Sequence, residues 1–142
     1  MNTRRLRQRH FLAAILTLIG ALGVTAGCGG GGTGTSRYVG NYTGSFLDAT
    51  NSIDGNITFQ VGSDGTVSGS GKDSKTGQLD PFNGSIDNSG NLSVIVTLDT
   101  TPYTVRGTMA FDADSHLRGN LNEFYNATGE NVGSVVVNLV KN

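Results

Sequence analysis

Residues 55–71 read GNITFQVGSDGTVSGSG, and the fold turns on how this stretch is read. Ile57, Phe59 and Val61 alternate with Thr58 and Gln60, the period-two pattern of a strand with one buried face. Ser63-Asp64-Gly65 follows, three residue types that tolerate a left-handed φ or bond their own backbone in a tight turn. From Thr66 the alternation resumes, so the unit is a β-hairpin. Working outward, the same pattern recurs across residues 37–142, with turn chemistry again at Asn88-Ser89-Gly90 and Asp112-Ala113-Asp114-Ser115. No helical period competes with it. Strands are predicted over 38–47, 55–61, 65–71, 78–87, 91–99, 102–112, 116–124 and 132–140.

Short connections make strands that are neighbours in sequence antiparallel neighbours in space. Hairpins beginning at Gly55, Gly84 and Gly107 share a pattern of glycine, strand, Asp or Asn turn and returning strand. The predicted fold is all-β, an up-and-down meander of eight strands closing into a barrel or flattened barrel. Inner parity collects apolar residues such as Phe46, Ile57, Val67, Leu98, Met109 and Leu121, while the outer parity is mostly Ser, Thr, Asn and Gln. Glycine also falls on the inner parity, at Gly44, Gly69, Gly84, Gly107 and Gly119 among others. Inward glycines mark bends and close backbone approach. Eight strands enclose an interior that side chains fill or that holds one small ligand. A filled interior is expected here; the alternative is a ligand cavity lined by Tyr42, Phe59, Phe82, Tyr103 and Phe111.

Two continuous apolar triplets, Val94-Ile95-Val96 and Val135-Val136-Val137, place a central residue on the outer face, where apolar strands are usually covered. Ile95, Val136 and Val140 are therefore candidates for contact with an envelope protein or a second copy. The last strand is also expected to pair with the first, since an unpaired edge invites association.

The first 36 residues have a different character. Arg4, Arg5, Arg7 and Arg9 precede an apolar stretch from Phe11 to Ala26, the layout of an export signal. As a helix this stretch rises about 24 Å, short of the ~30 Å hydrocarbon core of a bilayer. It ends in Val24-Thr25-Ala26-Gly27-Cys28, followed by Gly29 to Gly32. The arrangement resembles the lipobox of bacterial lipoproteins, with Thr25 where that family prefers leucine. The resemblance implies a signal peptide over 1–27, lipid attachment at Cys28, and a location in the cell envelope facing a membrane, the outer one where the host has one, since Gly29 rather than Asp follows the cysteine. Residues 28–36 then form a Gly-rich tether and 37–142 the β domain. Val24-Thr25-Ala26 equally fits ordinary signal cleavage, which would give a secreted protein with a free thiol.

Cys28 is the single cysteine, so the chain has no internal disulfide. Without residues 1–27 it keeps 6 Lys and Arg against 11 Asp and Glu, a formal net charge of −5. Lys72, Lys75, Arg106, Arg118 and Lys141 are scattered, and nucleic acid, which rewards a basic face, is not an expected partner.

No catalytic, metal or cofactor constellation is expected. His116 is the only histidine beyond the signal and adjoins a turn. Asp112, Asp114 and Ser115 could offer oxygens to calcium, but they lack an EF-hand register and read as a hairpin turn. Ser68-Gly69-Ser70-Gly71-Lys72-Asp73 has neither the spacing nor the Ser/Thr of a phosphate-binding loop. Asn41, Asn56, Asn83, Asn91 and Asn126 each begin an Asn-x-Ser/Thr triplet, a product of the Asn- and Thr-rich composition.

Gly40-Asn41-Tyr42-Thr43-Gly44-Ser45-Phe46, with the later Asp64-Gly65-Thr66-Val67-Ser68-Gly69, is similar to the opening hairpins of avidin-like barrels, and the layout also resembles lipocalin-like ones. The resemblance covers about a third of the domain and implies a barrel. Biotin binding does not follow, because avidin-like sites are lined by tryptophan and this chain has none. The expected function is a non-enzymatic envelope lipoprotein making binding or structural contacts at the membrane surface; the alternative is a carrier of a small apolar ligand inside the barrel.

Overall fold

The structure, a computed structural model, describes residues 35–142. Cys28, the signal segment and most of the tether lie outside the described residues. Eight strands follow in order: β1 (Gly40–Asp48), β2 (Ile53–Val61), β3 (Thr66–Asp73), β4 (Leu79–Ile86), β5 (Asn91–Leu98), β6 (Thr101–Phe111), β7 (Leu117–Tyr125) and β8 (Glu130–Lys141). Each bound falls within two residues of the sequence expectation. All neighbours are antiparallel, and β1 pairs with β8 from Tyr42↔Lys141 to Asp48↔Val135, closing the barrel. Closure removes the free edge that would otherwise template association.

Alternation sets the two faces. Along β2 the buried or half-buried Ile53, Gly55, Ile57, Phe59 and Val61 alternate with exposed polar residues. Apolar inside and polar outside is the reverse of a membrane-spanning barrel, whose lipid face is apolar. The wall is tightly drawn. A Cβ at Gly44 would overlap the Asn138 carbonyl oxygen, and one at Gly84 the Ser93 carbonyl oxygen.

The two ends of the barrel differ. At one end, which carries the β2–β3, β4–β5 and β6–β7 turns, the segment before β1 lies across the bottom. The Ser36 N–H donates to the Ser63 carbonyl at 2.8 Å, and the Arg37 N–H to Asn88 Oδ1 at 3.1 Å. Tyr38 then turns inward and is 0% exposed, its hydroxyl on the Met109 carbonyl and its own carbonyl accepting from the Tyr42 hydroxyl at 2.6 Å. Ser36 is itself buried and bonded to the barrel. Tyr38, Tyr42, Met109, Leu117 and Leu139 fill this half of the interior.

Aspartate starts five of the turns. Asp48, Asp64, Asp73, Asp87 and Asp112 each accept backbone N–H groups two to four residues ahead on one carboxylate oxygen. This is the Asx device that Asp offers at turns. The β5–β6 connection differs: Asp99 and Thr100 form a two-residue link with φ of 46° and 75°, the left-handed pair that a type I′ hairpin needs.

Candidate functional site

Above the packed half, the barrel interior is not filled. A cavity of about 120 Å³ runs from a floor at Leu92 and Met109 to the end bearing Asp48, Ile53, Asp80 and Leu98, where it opens. Its wall is apolar, built by Phe46, Ile57, Phe59, Phe82, Val96 and Val105 with their neighbours. This corrects the expectation of a wholly filled interior. Inner glycines are one cause: Gly71 on β3 faces Phe46 with no side chain of its own, so the wall recedes there. The volume is below the ~300–1,000 Å³ of drug-sized sites and close to the ~150 Å³ at which a dry apolar cavity takes up benzene.

Of the five residues named as a possible ligand lining, the structure brings Phe59 and Phe82 to the cavity wall, 5.8 Å apart between ring centres. The other three stand elsewhere. Tyr42 is in the packed half, tied to Tyr38. Tyr103 stands near the open end against Tyr125, ring centres 5.7 Å apart. Phe111 is 39% exposed at the plugged end, stacked on Tyr38 at 5.5 Å. It has inward parity, but β6 overshoots the barrel there.

The cavity also has polar members that the sequence reading did not single out. Glu123 is 4% exposed and Asp48 7%, and both line the cavity together with Asp80. Asp48 is satisfied: Thr50 and Asn51 N–H groups donate to Oδ1, and the Asn51 amide donates to Oδ2 at 2.7 Å. Asp80 accepts from the Gln78 amide at 2.9 Å. Glu123 accepts no hydrogen bond from any described residue, while its carboxyl is not sealed off from the cavity. It sits on β7 opposite Val105 and Gly133, beside a bulge between Glu123 and Phe124. Bulges re-aim the side chains next to them. Gly133 leaves room for it, since a Cβ there would stand 3.4 Å from Glu123 Oε2 and 3.2 Å from Thr50 Oγ1.

Burial pushes the Glu123 carboxyl above its usual range, and the nearby charge of Asp48 adds to the push. Burial also raises the Tyr103 hydroxyl, with further contributions from Glu123 and Tyr125. Parity could have revealed Glu123, which follows Leu121 by two residues in a predicted strand and so had to point inward. An acid at an inner position does not register in the hydrophobic period, which marks only apolar residues.

His116 stands beside the β6–β7 turn, half-buried, with Nδ1 3.9 Å from Asp112. Asp112 is bound at 2.7 Å by Arg118, an arrangement that ties a turn together. Among the described residues no group of three or more His, Cys, Asp and Glu is placed to hold a metal ion. On the outer face Val136 is paired with Leu47, and Val140 follows on β8; both are exposed. Ile95, also exposed, is on β5, three strands from β8 around the barrel. The three contact candidates therefore do not form one surface.

Compared with known protein families, the chain matches none, and no curated protein matches it.

Proposed function

We propose that this protein is a non-enzymatic lipoprotein of the cell envelope, anchored through Cys28, whose barrel binds a small apolar molecule or the apolar end of a larger one. The observation that carries the reading is the apolar cavity, plugged by Tyr38 at one end and open at the other. Its apolar wall offers water few of the two to four polar partners it needs and suits hydrocarbon, worth about 0.8 kcal/mol per buried CH₂. Ser36 and Arg37 meet the barrel at its plugged end.

The test is calorimetric titration of the intact protein in lipid nanodiscs with toluene and hexan-1-ol, empty nanodiscs serving as the blank. Saturable binding at one site is expected. Val96→Trp, which places an indole in the cavity, should abolish it while leaving the β circular dichroism spectrum intact. Equal binding by the variant would remove the cavity from the function. The intact mass of protein extracted from its own membrane tests the anchor, since residues 28–142 plus acyl groups are expected.

A further inference from the structure

The cavity as described explains uptake of hydrocarbon and nothing about which molecule is chosen. Its polar members carry that choice. Among the described residues, every charged side chain on the lining, Asp48, Asp80 and Glu123, is acidic. Two of them already hold donors from their own loops: Asp48 takes two backbone N–H groups and an amide, and Asp80 takes an amide. Glu123 does not, although it is 4% exposed and faces the cavity. Its carboxyl oxygens are reached from the cavity and not sealed away, so they keep an open acceptor position. A native site that keeps one has left an acceptor for something that arrives from outside.

Resting on the cavity reading above, we infer that the barrel selects apolar molecules bearing a protonated amine, with the ammonium group bonded to the Glu123 carboxylate and the hydrocarbon in the well below it.

Three observations converge on that class. First, an acidic rim with no basic residue on the lining repels carboxylate and phosphate head groups and attracts a cation, and the attraction grows in a low-dielectric setting. Second, a bare metal ion is a poor fit, because hard cations take six or more oxygens. Among the described residues no cluster of three potential ligands exists, and most of the cavity lining is hydrocarbon. An ammonium group instead brings its own apolar tail. Third, the depth suits a short chain. Met109, at the floor, is level with Gly119, and Glu123 lies four residues further along β7. That is about 13 Å of strand at ~3.3 Å per residue, or roughly 10 Å of depth once strand tilt is allowed for. A chain of about six carbons spans it.

The proton balance is simple. The amine arrives protonated, and Glu123 must be ionised to receive it, so any proton held by the empty site's carboxyl leaves to solvent on binding. Asp48 from β1, Asp80 from β4, and Tyr103 and Tyr125 from β6 and β7 are the titratable groups around it at this end. Lys75, in the β3–β4 turn at the same end, is the nearby cation, and its ammonium group is held on the Ser52 carbonyl at 2.9 Å, off the cavity lining.

The experiment compares hexylammonium, hexan-1-ol and hexanoate on the intact protein in nanodiscs, with Glu123→Gln and Asp48→Asn prepared alongside. Hexylammonium is expected to bind at least about tenfold more tightly than hexan-1-ol, with hexanoate weakest. Glu123→Gln should erase the amine preference while keeping the β circular dichroism spectrum of the wild type, which shows that the variant is folded. If hexan-1-ol binds and hexylammonium binds no better, or if the preference survives in Glu123→Gln, the amine inference is overturned and the cavity reading stands. If the preference survives in Glu123→Gln and is lost in Asp48→Asn, Glu123 is the wrong acceptor and the assignment falls. If none of the three binds, the cavity reading falls and takes the inference with it.

Discussion

Glu123 and the turn aspartates respond to pH in opposite senses. The Thr66 hydroxyl and N–H lower the Asp64 carboxyl, the Lys75 and Thr76 N–H groups lower Asp73, and the Asn91 amide and N–H lower Asp87. Each has a folded pKa below its unfolded value near ~3.9, so its contribution is complete above that pH and is lost as the pH falls through the lowered value. Glu123 is raised by burial and by Asp48. Folding therefore favours its protonated form, and that stability is complete below the unfolded value of about 4.3 and lost as the pH rises through the raised one. Glu123→Gln, isosteric with the neutral acid, should unfold at nearly the wild-type urea midpoint near pH 4 and be the more stable protein at neutral pH. The gap should open with a slope of at most about 1.4 kcal/mol per pH unit, the limit for one proton. Midpoints measured from pH 4 to 8 decide it. Curves that stay parallel across that range would mean that Glu123 is already paired in the ligand-free protein.

At the level of strands and turns, the seam between β1 and β8 is the last pairing made in sequence order, and the one on which closure depends. Gly44 lies in it opposite Leu139, where a Cβ would overlap the Asn138 carbonyl oxygen. Gly44→Ala should cost about 1–3 kcal/mol by overpacking, a fall in Tm of roughly 5–15 °C. Gly129, in the β7–β8 turn with φ of 71° and nothing within 4 Å of an added Cβ, supplies the comparison, since its alanine variant suffers only the backbone cost of about 1 kcal/mol. Equal melting temperatures for the two variants would show that the seam can relax and that close approach there is not what closes the barrel. Strand bounds and the turns at Asp64 and Asp112 were legible in the sequence because period-two alternation and Asx chemistry are local, whereas the same role of Asp48, Asp73 and Asp87 was not singled out. The β5–β6 link was not, because Asp99-Thr100 adopts a type I′ conformation with a β-branched residue at φ 75°, where such residues are outliers. Tyr38 escaped for another reason: it precedes β1, and its burial comes from crossing beneath strands distant in sequence, which no local period records. Phe111 shows the reverse error, inward parity read beyond the point where the barrel ends. The cavity itself was legible only as an open alternative, since inward glycines permit both collapse and a void and only the packed geometry chooses.

For the molecule as a whole, the asymmetry of the two ends is what turns a closed barrel into a well, and Tyr38 is the residue that makes it. Its ring stacks on Phe111, its hydroxyl holds the Met109 carbonyl, and Met109 is in turn the floor of the cavity. The plug and the well thus share one residue, and it is possible to disturb one without the other. Tyr38→Phe removes a single hydrogen bond, which should cost about 1 kcal/mol, and because the ring still supports Met109, affinity for hexan-1-ol should not change. Tyr38→Ala removes the ring, at about 3–5 kcal/mol for a large aromatic, and leaves a void in the core cluster that Met109 shares. Its Tm should fall by several times the shift seen for Tyr38→Phe, and hexan-1-ol affinity should drop as the floor gives way. Should Tyr38→Ala melt no lower than Tyr38→Phe, the plug would be an ornament of the N-terminal segment and the barrel would close its own base. The expected result ties the chain's order to its use. Residues 36–38 seal the end at which β1 begins, so the end left open is the opposite one, and a solute entering there meets Glu123 before the apolar wall beyond it.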